Sequence, residues 1–287
     1  MPTVSIVIRS CNDIKFIDNT LNMIQKQNFK DFELVNVDSG STDGTFEVVK
    51  KYNPNAYQIK PGDYIPGKVL NEAVRKCSGK IIVFNNSDCI PQDCLWLENL
   101  IKPFNESDNT VAVYGNQIPR KDATPLVVKD NTRAFGDGKT ASTWFHFFSL
   151  ATSAIRKSII EKYPFDPNIQ YSEDIDWSYR MKKNGLNIEY AADAVVEHSH
   201  NYTLKEVKKR FYNEGLAEGK IYGTEKSFFT GSMLPCAKEI IRDVLYLLSK
   251  GKLLSIPSGL VYRINQRLYA YRGRRDYFSP SLHFSPF

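Results

Sequence analysis

The chain has 287 residues, 42% hydrophobic and 24% charged, which suits one large folded core with an appendage. Five cysteines, odd in number and without a C-x-x-C pair, argue against a disulfide framework or structural zinc and for a reducing cytosolic setting. The net charge of +6 is uneven: Arg242 to Arg275 holds eight basic residues against Asp243 alone, so the body is close to neutral and is not expected to bind nucleic acid.

The N-terminus, MPTVSIVIRS, enters a buried strand (Val4 to Ile8) with no basic segment and long apolar run of the signal type. No stretch reaches the roughly 18 apolar residues of a membrane-spanning helix. After the polar loop Ser10-Cys11-Asn12-Asp13, Phe16, Ile17, Thr20, Leu21 and Ile24 follow helical spacing. A second strand, Phe32 to Val37, is closed by Asp38-Ser39-Gly40-Ser41-Thr42-Asp43-Gly44, whose turn and capping residues predict a helix over 45–52. A weak third strand near 56–59, a Gly/Pro loop and a helix from about Val69 to Cys77 follow. Strand and helix thus alternate, which implies a mostly parallel sheet with helices on both faces, a Rossmann-like α/β fold.

Lys80 to Pro91, KIIVFNNSDCIP, is the stretch around which the chain is organised. Ile81 to Phe84 reads as a strand buried on both faces, stopped by short polar residues and Pro91. Ligands of such sheets bind outside the carboxyl ends of the strands, so Asp88 is the first site candidate. Beyond it come a helix near 95–104, a strand at 111–115 and an irregular polar segment, 117–140. A helical pattern covers 171–184, short strands fall at 188–191 and 194–196, and a helix over 203–219 starts with Thr203 and Glu206 at capping-box spacing. The last segment carries apolar helical faces bordered by Arg and Lys, the pattern of an interfacial helix or of a packed hairpin.

Asp38 and Asp88 at strand ends, the acidic run Ser172-Glu173-Asp174-Ile175-Asp176 at a helix start, and His198-Ser199-His200 after a strand make a set able to bind a divalent cation. Such a cation neutralises charge on a departing diphosphate, while a separate carboxylate takes a proton from an attacking hydroxyl. VSIVIRSCND, VDSGSTDGT, PGKVLNEA, NNSDCIP, YGNQIPR, SEDIDWSYRMKKNG and EHSHNYTLKEVKKRFYNEG stand in the order found in family 2 glycosyltransferases. Over roughly residues 3–220 the chain resembles that family, and most of all its rhamnosyltransferase-type branch.

The resemblance implies a GT-A fold over residues 1–220 with a basic helical extension over 221–287. It also implies inverting transfer of a sugar from a UDP- or dTDP-sugar to a hydroxyl of a glycan or lipid-linked saccharide, with Mn²⁺ or Mg²⁺. By position, Asp38 would accept N3–H of the base, Ser10 and Asn12 would line the nucleotide pocket, and Lys68 would pair with phosphate. Asp88 would be a direct metal ligand, His198 or His200 a further one, and Asp174, or next Glu173, the general base. Asn86 departs from the family's D-x-D by placing an amide where a carboxylate is usual, which predicts weaker metal binding. The tail would suit the inner face of the cytoplasmic membrane. A catalytically silent nucleotide-sugar-binding protein is the alternative, and it predicts that Asp174→Asn changes nothing.

Overall fold

In the structure, a computed structural model that describes residues 1–279, the chain forms two compact units. The first comprises residues 1–120, 131–169 and 173–199; the second comprises 121–130, 170–172 and the chain from His200 onward. The first unit is an eight-stranded sheet in the order β3-β2-β1-β4-β7-β6-β8-β5. Its strands are β1 (Val4–Ser10), β2 (Phe32–Asp38), β3 (Tyr57–Gln58), β4 (Ile81–Asn86), β5 (Ile90–Pro91), β6 (Thr110–Ile118), β7 (Thr152–Arg156) and β8 (Asn187–Glu197). β1 lies parallel between β2 and β4, whereas β7 runs antiparallel to both β4 and β6.

Both faces of β1 are covered, which is why VSIVI is a continuous apolar run. Val4, Ile6 and Ile8 pack with Ile17, Leu21 and Ile24 of α1 (Ile17–Gln25) and with Trp96 and Leu100 of α4 (Trp96–Glu106). Val7, on the opposite face, joins Leu70 and Val74 of α3 (Pro66–Lys76) and Trp177 of α7 (Glu173–Lys183). Trp177 is fully buried, with its indole N–H on the Tyr163 carbonyl, so it is a core residue.

Several boundaries differ from the sequence reading. α3 begins at Pro66, whose missing N–H costs nothing in a first turn. β4 continues through Asn85 and Asn86, both in register with β1. Pro91 does not end pairing: Ile90 and Pro91 form a short edge strand against Val196 and Glu197, a place where a missing donor is tolerated. The two short strands expected over 188–196 are one strand, β8, whose register against β6 shifts between Gly115 and Asn116. The irregular 117–140 segment contains a helix, α5 (Pro125–Ala134).

α8 (Leu204–Tyr222) packs on the C-terminal α10 (Ile256–Phe278) within the second unit. Thr203 and Glu206 form the expected capping box at its start. Of the expected 221–287 extension, residues 280–287 lie outside the described residues. Glycines set the α8–α10 approach: a methyl at Gly273 would meet the Tyr212 carbonyl and the Leu216 amide, and one at Gly215 would meet the Ala270 backbone. Gly273→Ala is expected to cost about 1–3 kcal/mol of stability by overpacking, read from chemical denaturation.

The basic surplus of the tail is largely used inside this unit. Arg263 is 2% exposed, with Asp243 at 2.7 Å and Asp130 at 3.0 Å. Arg267 faces Glu239 at 3.8 Å, and Arg274 pairs with Glu218. Lys129 joins the same network through Asp243 and Glu239. The expected basic face along α10 is therefore not a free charged surface, since partners distant in sequence neutralise much of it.

Candidate active site

The register of β1 assembles the site. Ser10 stands opposite Asp38 on β2, and Arg9 opposite Asn86 on β4, at the carboxyl ends of three parallel strands. Asp38 is 1% exposed. Its Oδ1 accepts from the Gly40 and Ser41 amides and from the Gln58 side chain at 2.8 Å, and its Oδ2 accepts from the Ser10 and Ser41 hydroxyls at 2.7 and 2.6 Å. Burial pushes the pKa of this carboxyl up, but the bonds from Ser41, Gln58 and Ser10 outweigh it and leave the group below the usual carboxylate range. It is therefore an ionised organiser of the 39–41 loop. Gly44 is the N-cap of α2 (Thr45–Tyr52), and Asp43 just before it closes a local turn by accepting from the Thr45 amide at 3.0 Å.

Asn12 adopts φ of +56°, a left-handed conformation that asparagine tolerates, and its Oδ1 accepts from the Thr42 amide at 2.9 Å. This ties the loop after β1 to the loop after β2. Lys68 is exposed on α3, where it lines a cleft of about 420 Å³ with Lys60, Asp63, Glu72 and Gln58, the side chain that donates to Asp38.

Arg9, which the sequence reading passed over, links Asn86 to the acidic pair. Its guanidinium donates to Glu173 Oε1 at 3.0 Å, to the Tyr64 hydroxyl at 3.0 Å and to Asn86 Oδ1 at 3.4 Å. Glu173 thus has a buried counter-ion, with the two side chains 12% and 15% exposed. Asp174 accepts from backbone donors, Leu150 N–H at 3.4 Å and its neighbour Ile175 N–H at 2.9 Å. Burial, then the charge of Glu173, pushes the Asp174 carboxyl up from 3.8 to about 7. The two adjacent acids therefore sit in unlike surroundings: Glu173 faces a guanidinium, while the buried Asp174 carboxyl is raised toward neutral pH.

Asp88, two residues beyond Asn86, faces His198 at the end of β8, with Oδ2 3.5 Å from Nε2. Gln117 fixes the histidine: its amide nitrogen donates to the Ser149 hydroxyl at 2.9 Å, which leaves Oε1 to accept Nδ1–H at 2.7 Å. The Nε2 lone pair then points with the carboxylate, the arrangement of a metal-binding imidazole held by a second group. Asp88 and His198 can offer ligand atoms within 4.8 Å of each other, so the donor set fits a divalent cation. His200 belongs to the second unit, where its ring stacks on Tyr202 at 5.3 Å.

Two more residues went unread in the sequence. Arg120, at the end of the YGNQIPR motif, binds the Asp88 backbone carbonyl, lies 3.4 Å from its carboxylate and covers the Phe16 ring at 4.0 Å. Asp13 accepts the Ser87 hydroxyl, and burial raises its carboxyl. Both lie in sequence motifs, YGNQIPR and VSIVIRSCND, but only the fold brings them to Asp88.

Acidic side chains grouped at the ends of parallel strands, on a sheet that turns antiparallel at β7, belong to the GT-A class of glycosyltransferase folds. Solved structures show the same fold. The mannosyltransferase PcManGT from Pyrobaculum calidifontis, in complex with GDP-Man and Mn²⁺, has a TM-score of 0.68 at 17% identity, covering 96% of this chain and 87% of its own. Glucosyl-3-phosphoglycerate synthase from Mycobacterium tuberculosis, with Mn²⁺, UDP-glucose and phosphoglyceric acid, has a TM-score of 0.57 at 21% identity, covering 79% of this chain and 81% of its own.

Residues 5–164 match the family model Glycosyl transferase family 2, and the chain belongs to that family. It is 30% identical to the O-antigen chain rhamnosyltransferase RfbN of Salmonella typhimurium over 226 residues, 74% of this chain and 71% of that protein. It is 29% identical to the O-antigen chain rhamnosyltransferase WbaN of Salmonella anatum over 228 residues, 75% of this chain and 72% of that protein.

Proposed function

We propose that the protein transfers a rhamnosyl group, with inversion, from a pyrimidine nucleoside diphosphate donor to a hydroxyl of a glycan or lipid-linked saccharide. The observation that carries this reading is the division of labour between Glu173 and Asp174, because single-displacement transfer needs one base and an adjacent second anion would raise its cost. Asp174 takes the proton of the acceptor hydroxyl as that oxygen attacks the anomeric carbon and the bond to the diphosphate breaks on the opposite side. Arg9 holds Glu173 and keeps its charge compensated.

The donor's base meets the wall built by Ser10, Asn12 and Asp38, its N3–H replacing the Gln58 amide on Asp38 Oδ1. Asp88 and His198 hold Mn²⁺ or Mg²⁺, which when bound supplies positive charge for the departing diphosphate. Arg120 keeps the Asp88 carboxylate in place. Asn86 contributes an amide to the same edge, where its Oδ1 accepts from Arg9 at 3.4 Å.

The test is release of nucleoside diphosphate from dTDP- or UDP-rhamnose in the presence of a lipid-linked saccharide acceptor, followed against pH. The rate should rise with pH through about 7 as Asp174 loses its proton. In Arg9→Gln the charge that favours ionised Asp174 is gone, so the rising limb should move to higher pH by roughly one pH unit or more, with Arg9→Lys restoring part of the shift. A limb near pH 4, unmoved by Arg9→Gln, would assign the base elsewhere.

A further inference from the structure

We infer that the outer side of α9 (Leu234–Ser249) and the turn after it dock on an anionic lipid surface. Ile241, Leu245 and Leu248 recur at helical spacing on α9 and are 60%, 62% and 50% exposed. Leu253 and Leu254 extend the patch and are 56% and 98% exposed. A single exposed leucine is ordinary; five on one short stretch form an interaction surface.

The charges around the patch select its partner. Between Leu234 and Ser255 the only carboxylates are Glu239 and Asp243, and both are buried. Asp243 is spent on Lys129 and Arg263, while Glu239 serves Lys129 and Arg267 and accepts one bond from Arg242 at 2.7 Å. The exposed charges left on this stretch are Lys238, Arg242, Lys250 and Lys252, all positive. Apolar side chains with a cationic fringe match the headgroup and acyl boundary of an anionic bilayer. A second copy fits worse, because a two-fold contact through this face would set like charges against each other. No helix among the described residues is long and apolar enough to cross a membrane, so the contact is interfacial. It is carried by α9, not by the α10 arginines that dominate the tail's charge count.

The test is co-sedimentation of the full chain with vesicles of phosphatidylglycerol and phosphatidylethanolamine, and with phosphatidylcholine vesicles as the neutral reference. The wild type should bind the anionic vesicles preferentially, and less at high salt. Leu245→Ser/Leu254→Ser should lower the partition roughly tenfold or more, since both side chains are already exposed and the fold does not depend on them. Lys250→Glu/Lys252→Glu should lower it as well, with circular dichroism unchanged in both variants. Equal binding to neutral vesicles, or unchanged binding of the leucine variant, would overturn the proposal. So would a concentration-dependent dimer that the leucine variant loses in the absence of vesicle binding, which would give the face to a second copy.

Discussion

Asp174→Asn should lower kcat by about 10²–10⁴-fold while leaving donor affinity nearly unchanged, the loss expected when a general base is removed from a site that still binds. The amide oxygen can still accept the Leu150 N–H, so the start of α7 keeps its geometry. Stability should move the other way. In the folded chain Asp174 holds its proton up to about 7, against 3.8 for an unconstrained side chain. Over that interval the folded state binds a proton that the unfolded state has already lost, so wild-type stability falls as pH rises from about 4 to 7 and stays reduced above it. The variant, neutral throughout, should have a Tm above that of the wild type at pH 8 and close to it at pH 4. Loss of activity together with gain of stability separates this role from a structural one; turnover unchanged in Asp174→Asn would place the base elsewhere, and nucleotide-sugar binding without turnover in the wild type would favour a silent binding protein.

The second large effect is expected at Asp88. Asp88→Asn puts a neutral amide in place of the carboxylate that faces His198 Nε2. Divalent-cation affinity should fall by about 100-fold or more, exceeding the 10–100-fold usual when only an outer partner of a ligand is lost. Donor binding should lose its metal dependence in step. Arg120 would then retain its bond to the backbone carbonyl of residue 88 but lose its charged partner. Binding of the nucleoside moiety through Asp38 should persist, since Ser10, Ser41 and Gln58 are untouched.

The strand-end acids were legible in the sequence because their signal is local. A β-branched run that ends in Asn, Ser and Asp can be read without knowing its neighbours, and Asp88 falls where that reading puts it. What adjacency could not reveal was which member of the Glu173-Asp174 pair stays neutralised. That depends on Arg9, 164 residues away in sequence, which the parallel pairing of β1 with β4 brings beside Asn86.

The orientation of His198 was hidden for a similar reason. The bond from His198 to Gln117 crosses between β8 and β6, and no spacing within HSH encodes it. The tail misled in the opposite direction: its charge was counted as exposed, whereas Asp130 and Glu218, far outside it, take up Arg263 and Arg274. Buried ion pairs between distant segments leave no periodic trace, so a local count overstates the free charge of such a helix.

The most direct measurement is calorimetric titration of dTDP and UDP, with and without Mn²⁺, into the wild type and Asp88→Asn. The wild type should bind one of the two nucleotides tightly only when Mn²⁺ is present, and Asp88→Asn should bind it with the weak affinity the wild type shows without metal. Binding that is indifferent both to Mn²⁺ and to the substitution would contradict a cation-assisted transferase built on Asp88 and His198.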